Sequence, residues 1–245
     1  MLLLKGNGLV KSVKFNDYRY IGDPINAVKI FNDLKADELV FLDIFASKEK
    51  RCISLDFVGR VGDEANMPFA VGGGIRSIKE VREIINAGAE KVVINTYAVD
   101  KPEFIKEASD LFGSSTITVS IDVKKKFLGK QQVYITGGSK ATGMNPVVFA
   151  QLMESFGAGE ILINSIEKDG TMEGYDLELV RTIAGSVTIP VVAVGGAGKL
   201  PHLKEAVSDG YASAVGVGSM FIYHGPRNAV LVNYPSNDAL MRLFN

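Results

Sequence analysis

Val71-Gly72-Gly73-Gly74 opens a unit that occurs twice in this chain. In the first copy the glycines lead into an amphipathic stretch, then Gly88, then an apolar run ending Ile94-Asn95-Thr96. In the second, Val194-Gly195-Gly196-Ala197 leads into an amphipathic stretch, Gly210, and a run ending Val217-Gly218-Ser219. Strand, glycine turn, helix and strand again is the signature of a parallel sheet. A unit repeated in each half favours a closed (β/α)8 barrel made of two similar half-barrels. An open doubly wound sheet is the competing architecture.

The same alternation continues outward from the two glycine clusters. Short Val- and Ile-rich runs at 39–43, 68–71, 91–95, 116–122, 160–164, 189–194 and 214–218 do not alternate, as strands covered on both faces should not. With a short first strand at 2–4 they make eight. Helices are predicted over 24–34 and over 77–87, the second with Ser77 as its cap and Gly88 just beyond its end. A third closes over 155–159. The basic insert 124–138, with a strand-like 131–136, reads as a hairpin after the fifth strand, and Lys124–Lys126 as a solvated turn or a guard for an entering anion. No linker divides the 245 residues, so one domain spans 1–245.

Composition narrows the function classes. A formal net charge of -1 leaves no electrostatic footprint for nucleic acid or an anionic membrane, so any anion must be gripped locally. The single cysteine, Cys52, rules out an internal disulfide framework and reads as a small apolar helix residue. No run approaches the roughly 18 apolar residues of a membrane span. A cytoplasmic protein with no metal and no cofactor is expected.

In parallel barrels the chemistry sits at the C-terminal ends of the strands. There the glycine clusters allow backbone N–H groups to converge on an anion at a helix N-terminus. Two of them, each paired with a polar strand end, predict two phosphate sites. Asp122, ending Thr116-Ile117-Thr118-Val119-Ser120-Ile121-Asp122, is a candidate general acid or base. Asp43 has the same placement, as catalyst or loop brace, and Asp169 could act in the site or cap a short helix. His202 falls within a helix away from the rim, and His224 in a loop after the eighth strand.

Taken together, Val71-Gly72-Gly73-Gly74-Ile75, Ile94-Asn95-Thr96, Ser120-Ile121-Asp122, Ser165-Ile166-Glu167-Lys168-Asp169-Gly170-Thr171 and Val194-Gly195-Gly196-Ala197-Gly198-Lys199 resemble the cyclase subunit of imidazole glycerol phosphate synthase. The resemblance implies one phosphate site at Gly74, Asn95 and Thr96, and another at Asp169, Gly170, Gly196, Gly218 and Ser219. It implies Asp122 as the catalytic aspartate. It also implies an ammonia entrance ringed by Glu38, Lys91 and Glu160 at the N-terminal face, where a class I glutaminase subunit docks as a heterodimer.

Two departures stand out. Leu3 occupies the position of the family's second catalytic aspartate, and an apolar side chain cannot transfer a proton. The first strand is clipped, which removes a basic member of the entrance ring and is expected to leave neighbouring strand edges unpaired. The Leu-Leu-Leu-Lys start and the tail from His224 to Pro235 resemble a branch of cyclase-like proteins associated with acetamidino modification of surface sugars. That branch implies a glutaminase partner and an ATP-dependent amidotransferase-like protein. The expected function is therefore ammonia use on a phosphorylated small molecule in that branch. The alternatives are the parent cyclase–lyase reaction of histidine biosynthesis, with Asp43 substituting for the missing acid, and a noncatalytic ammonia conduit.

Overall fold

The computed structural model describes residues 1–126 and 129–244. The chain runs β1 (Leu2–Lys5), β2 (Gly8–Val13), β3 (Asn16–Gly22), α1 (Pro24–Asp33), β4 (Leu39–Asp43), α2 (Leu55–Glu64), β5 (Phe69–Gly72), α3 (Ile78–Asn86) and β6 (Lys91–Ile94). It continues through α4 (Thr96–Asp100), α5 (Glu103–Phe112), β7 (Ile117–Lys125), β8 (Gln131–Ile135), β9 (Lys140–Ala141), α6 (Pro146–Ser155) and β10 (Glu160–Ser165). Last come α7 (Leu177–Ala184), β11 (Val191–Val194), α8 (Leu200–Ser208), β12 (Ala214–Gly216), the short strands β13 (Tyr223–His224) and β14 (Ala229–Val230), and α9 (Asn237–Phe244).

Eight of these strands form the barrel of a (β/α)8 fold. They pair in parallel in the order β1, β4, β5, β6, β7, β10, β11, β12. Alternation along each strand sorts the side chains into two compartments. On β7, Val119 and Ile121 are fully buried in the layer beneath the helices, with Val81, Ile84, Ile105 and Met153. Ser120 and Asp122, one residue out of step, line the central cavity instead. Each fully buried Ile or Phe of the outer layer contributes on the order of 1.5–3 kcal/mol.

The helices start where the capping chemistry says they should. Asp23 Oδ1 accepts from Asn26 N at 2.9 Å with Pro24 in the first position of α1. Ser77 caps α3 and exchanges hydrogen bonds with Glu80. Asn145 and Pro146 repeat the arrangement at α6.

The expected hairpin after the fifth barrel strand is present, with β8 antiparallel to β7. Residues 127 and 128 of that insert lie outside the described residues. Lys124 and Lys125, expected in a turn, instead extend β7, because pairing with Gln132 and Gln131 keeps the backbone extended. Cys52, expected in a helix, precedes Ser54, whose side chain caps α2 by accepting from Phe57 N. His224 lies in β13 rather than a loop. The antiparallel pair β2–β3 was not foreshadowed at all. Its outer strand is mostly polar and exposed, and its turn places Lys14, Phe15 and Asp17 at positive φ, which no glycine advertised.

Among the described residues no ladder joins β12 to β1. The seam is crossed by the Met1 amino group, which donates to Val217 O at 2.7 Å. No described helix is long and apolar enough to cross a membrane.

Candidate active site

The two glycine clusters open on two cavities at the C-terminal rim. The larger has a volume of about 430 Å³ and is lined by Gly73, Gly74, Asn95, Thr96 and Asp122, with Arg51 and Arg76 at its edge. The smaller, about 30 Å³, is lined by Asp169, Gly170, Gly196, Gly218 and Ser219. The residues expected at each phosphate site are thus gathered at one cavity apiece. Met1, Leu3, Ser12 and Asp169 line both, so the two cavities adjoin along the rim. Glycine is required at the turns. Gly74 has φ +66° and Gly196 φ +116°, and a Cβ would strike the carbonyl oxygens of Arg51 and Gly174 respectively.

Asp122 lies at the floor of the larger cavity, 8 % exposed. Asn95 Nδ2 donates to its Oδ2 at 3.1 Å, and Asn164 Nδ2 approaches its Oδ1 at 3.5 Å. Burial, reinforced by the charge of Asp169 and opposed by the two asparagines, pushes its carboxyl up to about 7. It can therefore take or give a proton near neutrality. The buried Asn164 Oδ1 has no protein donor. Thr96 Oγ1 accepts from Thr136 N at 3.1 Å, tying the β7–β8 hairpin to the first grip.

Asp43 is also buried, but its oxygens are engaged. Arg51 spans both of them, and Phe45 N and Ala46 N each donate to Oδ1 at 3.1 Å. That is the geometry of a brace holding the loop after β4. Leu3, at the position where a second acid is wanted, is 9 % exposed and lines both cavities with an apolar side chain. Asp169 is followed by turns, not a helix, and the cap of α7 is Asp176. Its Oδ2 accepts from Ser12 Oγ at 2.9 Å. Burial raises its carboxyl, against the lowering effects of Ser12, Lys11 and the Phe15 N–H.

Lys11 and Ser12 were missed in the sequence. Lys11 is 5 % exposed and faces the second grip, with Nζ donating to Met1 O at 2.7 Å. Burial lowers its ammonium to about 8, opposed by the charge of Asp169. A lysine in the stretch Leu9-Val10-Lys11-Ser12-Val13 gives no sign of which face it takes; the β2–β3 pairing reveals its burial. Arg51 was missed for a similar reason, because it sits in an irregular loop. Cys52 is no nucleophile, since burial pushes its thiol up to about 12. His202 is buried in α8 and accepts from Gly198 N through Nδ1 at 3.2 Å, a brace behind the second grip. Among the described residues no cluster suited to a metal ion exists.

At the opposite end of the barrel, Lys91 Nζ lies 3.2 Å from Glu38 Oε2 and 3.4 Å from Glu160 Oε2. Thr118 Oγ1 donates to Glu160 Oε1 at 2.9 Å. Burial works to lower the Lys91 ammonium, but Glu160 and Glu38 together hold it above its ordinary value. The three residues expected to ring an entrance are therefore one ion-paired cluster, with Glu38 just before β4, Lys91 opening β6 and Glu160 opening β10.

A barrel with two glycine-lined cavities at its C-terminal rim and a buried carboxylate between the strands defines a class: a (β/α)8 enzyme with its site at that rim. Residues 2–226 match the family described as "Histidine biosynthesis protein", and the chain belongs to that family. It is 41 % identical over 244 residues to the Leptospira interrogans protein named "Putative imidazole glycerol phosphate synthase subunit HisF", covering 99 % of this chain and 96 % of the relative. The protein of the same name in Leptospira borgpetersenii is 41 % identical over 245 residues, covering 100 % of this chain and 96 % of the relative. In Pseudomonas aeruginosa "Putative imidazole glycerol phosphate synthase subunit hisF2" is 42 % identical over 239 residues, covering 98 % and 95 %. The chain is thus a cyclase-subunit-like enzyme component.

Proposed function

We propose that this chain is the ammonia-using barrel subunit of a glutamine-dependent synthase acting in acetamidino modification of a surface-polysaccharide sugar. A phosphorylated small molecule bridges the two grips, one phosphate at Gly74, Asn95 and Thr96, the other at Gly170, Gly196, Gly218 and Ser219. A class I glutaminase docks on the N-terminal face, where the Glu38–Lys91–Glu160 cluster frames the way in. An ATP-dependent amidotransferase-like protein is the expected third component, and the complex works in the cytoplasm. Asp122 takes the proton from ammonia as it attacks.

The observation that carries this reading is Leu3. It keeps the grips of the family while removing the first-strand acid that the parent reaction employs, which supports a related reaction on a related ligand. The test is genetic. Deletion of the gene should remove acetamidino groups from the surface glycan, read by mass spectrometry, and the gene should fail to restore growth without histidine to a strain lacking the parent cyclase. Restored growth would overturn it. A second reading, the parent cyclase–lyase reaction, is favoured by the names of the relatives. The engagement of Asp43 by Arg51 weighs against Asp43 as that reaction's missing acid.

A further inference from the structure

We propose that Asp169 is the proton-transfer partner of Asp122, replacing from the β10 side the carboxylate absent at Leu3. This rests on the reading above in one respect only, that ammonia reacts in the larger cavity. Asp169 and Asp122 both line that cavity. Ser12 Oγ engages one oxygen of Asp169 at 2.9 Å. No polar side chain intervenes from the first strand, because Leu3 presents only carbon. The carboxylate at Asp169 thus does more than bound a phosphate site: a phosphate beside it would face a like charge, whereas a protonated Asp169 is a donor.

The charged and titratable groups around it come from three strands. Asp122 on β7 feels the charge of Asp169 and is raised by it; Tyr18 on β3 is raised as well, after burial, by the same charge; Lys11 on β2 opposes the rise of Asp169. Two carboxyl groups in one low-dielectric cavity resist ionising together, so one stays protonated while the other is a base. Ammonia then forms a C–N bond to a trigonal carbon of the acceptor and gives one proton to Asp122. On an acceptor already phosphorylated from ATP, the C–O electron pair moves to the departing phosphate, which takes one proton from Asp169. On a carbonyl, the oxygen takes that proton to become a hydroxyl, and a second round, in which nitrogen gives another proton to Asp122 and the recharged Asp169 protonates the hydroxyl, expels water and leaves a C=N bond. Passage of one proton from Asp122 back to Asp169 restores the starting state.

The experiment uses the full chain with its glutaminase. Wild-type turnover is scored first on two acceptors: the amino-imidazole-carboxamide ribonucleotide intermediate with ammonium salt in vitro, and the surface glycan by acetamidino content in cells. Turnover of neither sinks the function reading and leaves the pair to the next measurement. With ¹³C-labelled aspartate, NMR should show the Asp122 midpoint falling by about one pH unit in Asp169→Asn. An unmoved midpoint overturns the pair. On whichever acceptor reacts, Asp169→Asn should lower turnover about 100-fold, and in vitro it should remove one limb of the pH profile with KM nearly unchanged. A raised KM with both limbs intact overturns the proposal in favour of phosphate contact alone. Asp169→Glu should recover part of the lost rate, and a matching melting temperature shows that the Asn variant is folded.

Discussion

The two proposed anion grips grow from the same repeated unit, yet they are not alike. The first, at Gly74, is an open bowl of about 430 Å³ edged by Arg51 and Arg76. The second, at Gly196, is a slot of about 30 Å³ with a buried lysine against it. The difference does not come from the glycines. It comes from what the chain places in front of them: the open loop after β4 at the first, and β2 with Lys11 and Ser12 at the second. Repetition supplies a backbone cradle, and a non-repeated neighbour decides what the cradle can accept.

The comparison can be broken most sharply at the carboxylate between the grips. Asp122→Asn should lower ammonia-dependent turnover by about 10²–10⁴-fold while ligand affinity at both grips survives. Kinetics and phosphate titration on the same preparation would show this. If the two cradles are equivalent as backbone, Gly74→Ala and Gly196→Ala should each cost about 1–3 kcal/mol in denaturant unfolding, since each adds a Cβ at positive φ against a carbonyl. A neutral result at either one would separate the cradles.

The dependence on pH sharpens the comparison further. Asp122 rises from 3.8 to about 7 on folding, so the folded state holds that proton more tightly. Its stabilising contribution is complete below about pH 4 and is lost as pH climbs through about 7. The melting temperature should therefore fall between about pH 4 and 7, and the fall should be shallower in Asp122→Asn. Lys11→Met should weaken inorganic phosphate at the second grip by about tenfold and leave the first unchanged, measured by calorimetry. The smallest effect belongs to the floor. Lys91→Gln, which leaves Glu38 and Glu160 without their cation, should cost about 1 kcal/mol of stability, yet abolish glutamine-dependent turnover while ammonium-dependent turnover persists.

Much of this architecture was legible in the sequence. Seven strands announced themselves as unbroken Val/Ile runs, and the glycines marked where each grip would open, because backbone at positive φ leaves a residue-type trace. What escaped was everything set by partners distant in the chain. Nothing local distinguishes Lys11, buried against Met1 and Asp169, from Lys14, which is exposed. Residues 16–22 carry too few buried side chains for a periodic signal, so β3 was invisible. Asp43 read as a candidate catalyst because its strand-end position is the same as that of Asp122. Arg51, eight residues on, and the loop N–H groups of Phe45 and Ala46 distinguish the brace from the acid.

The β2–β3 hairpin reaches both cavities. Lys11 and Ser12 stand at the narrow slot, Phe15 and Tyr18 line the wide bowl, and Lys14 N is tied to Asp169 O at 2.9 Å. If a ligand bridges the two cavities as proposed, one fifteen-residue span (8–22) bounds its length, as the jaw of a caliper does. Drift in this hairpin alone could re-gauge the enzyme for a longer or shorter ligand without touching the barrel, which makes it the natural place for lineages of this fold to part.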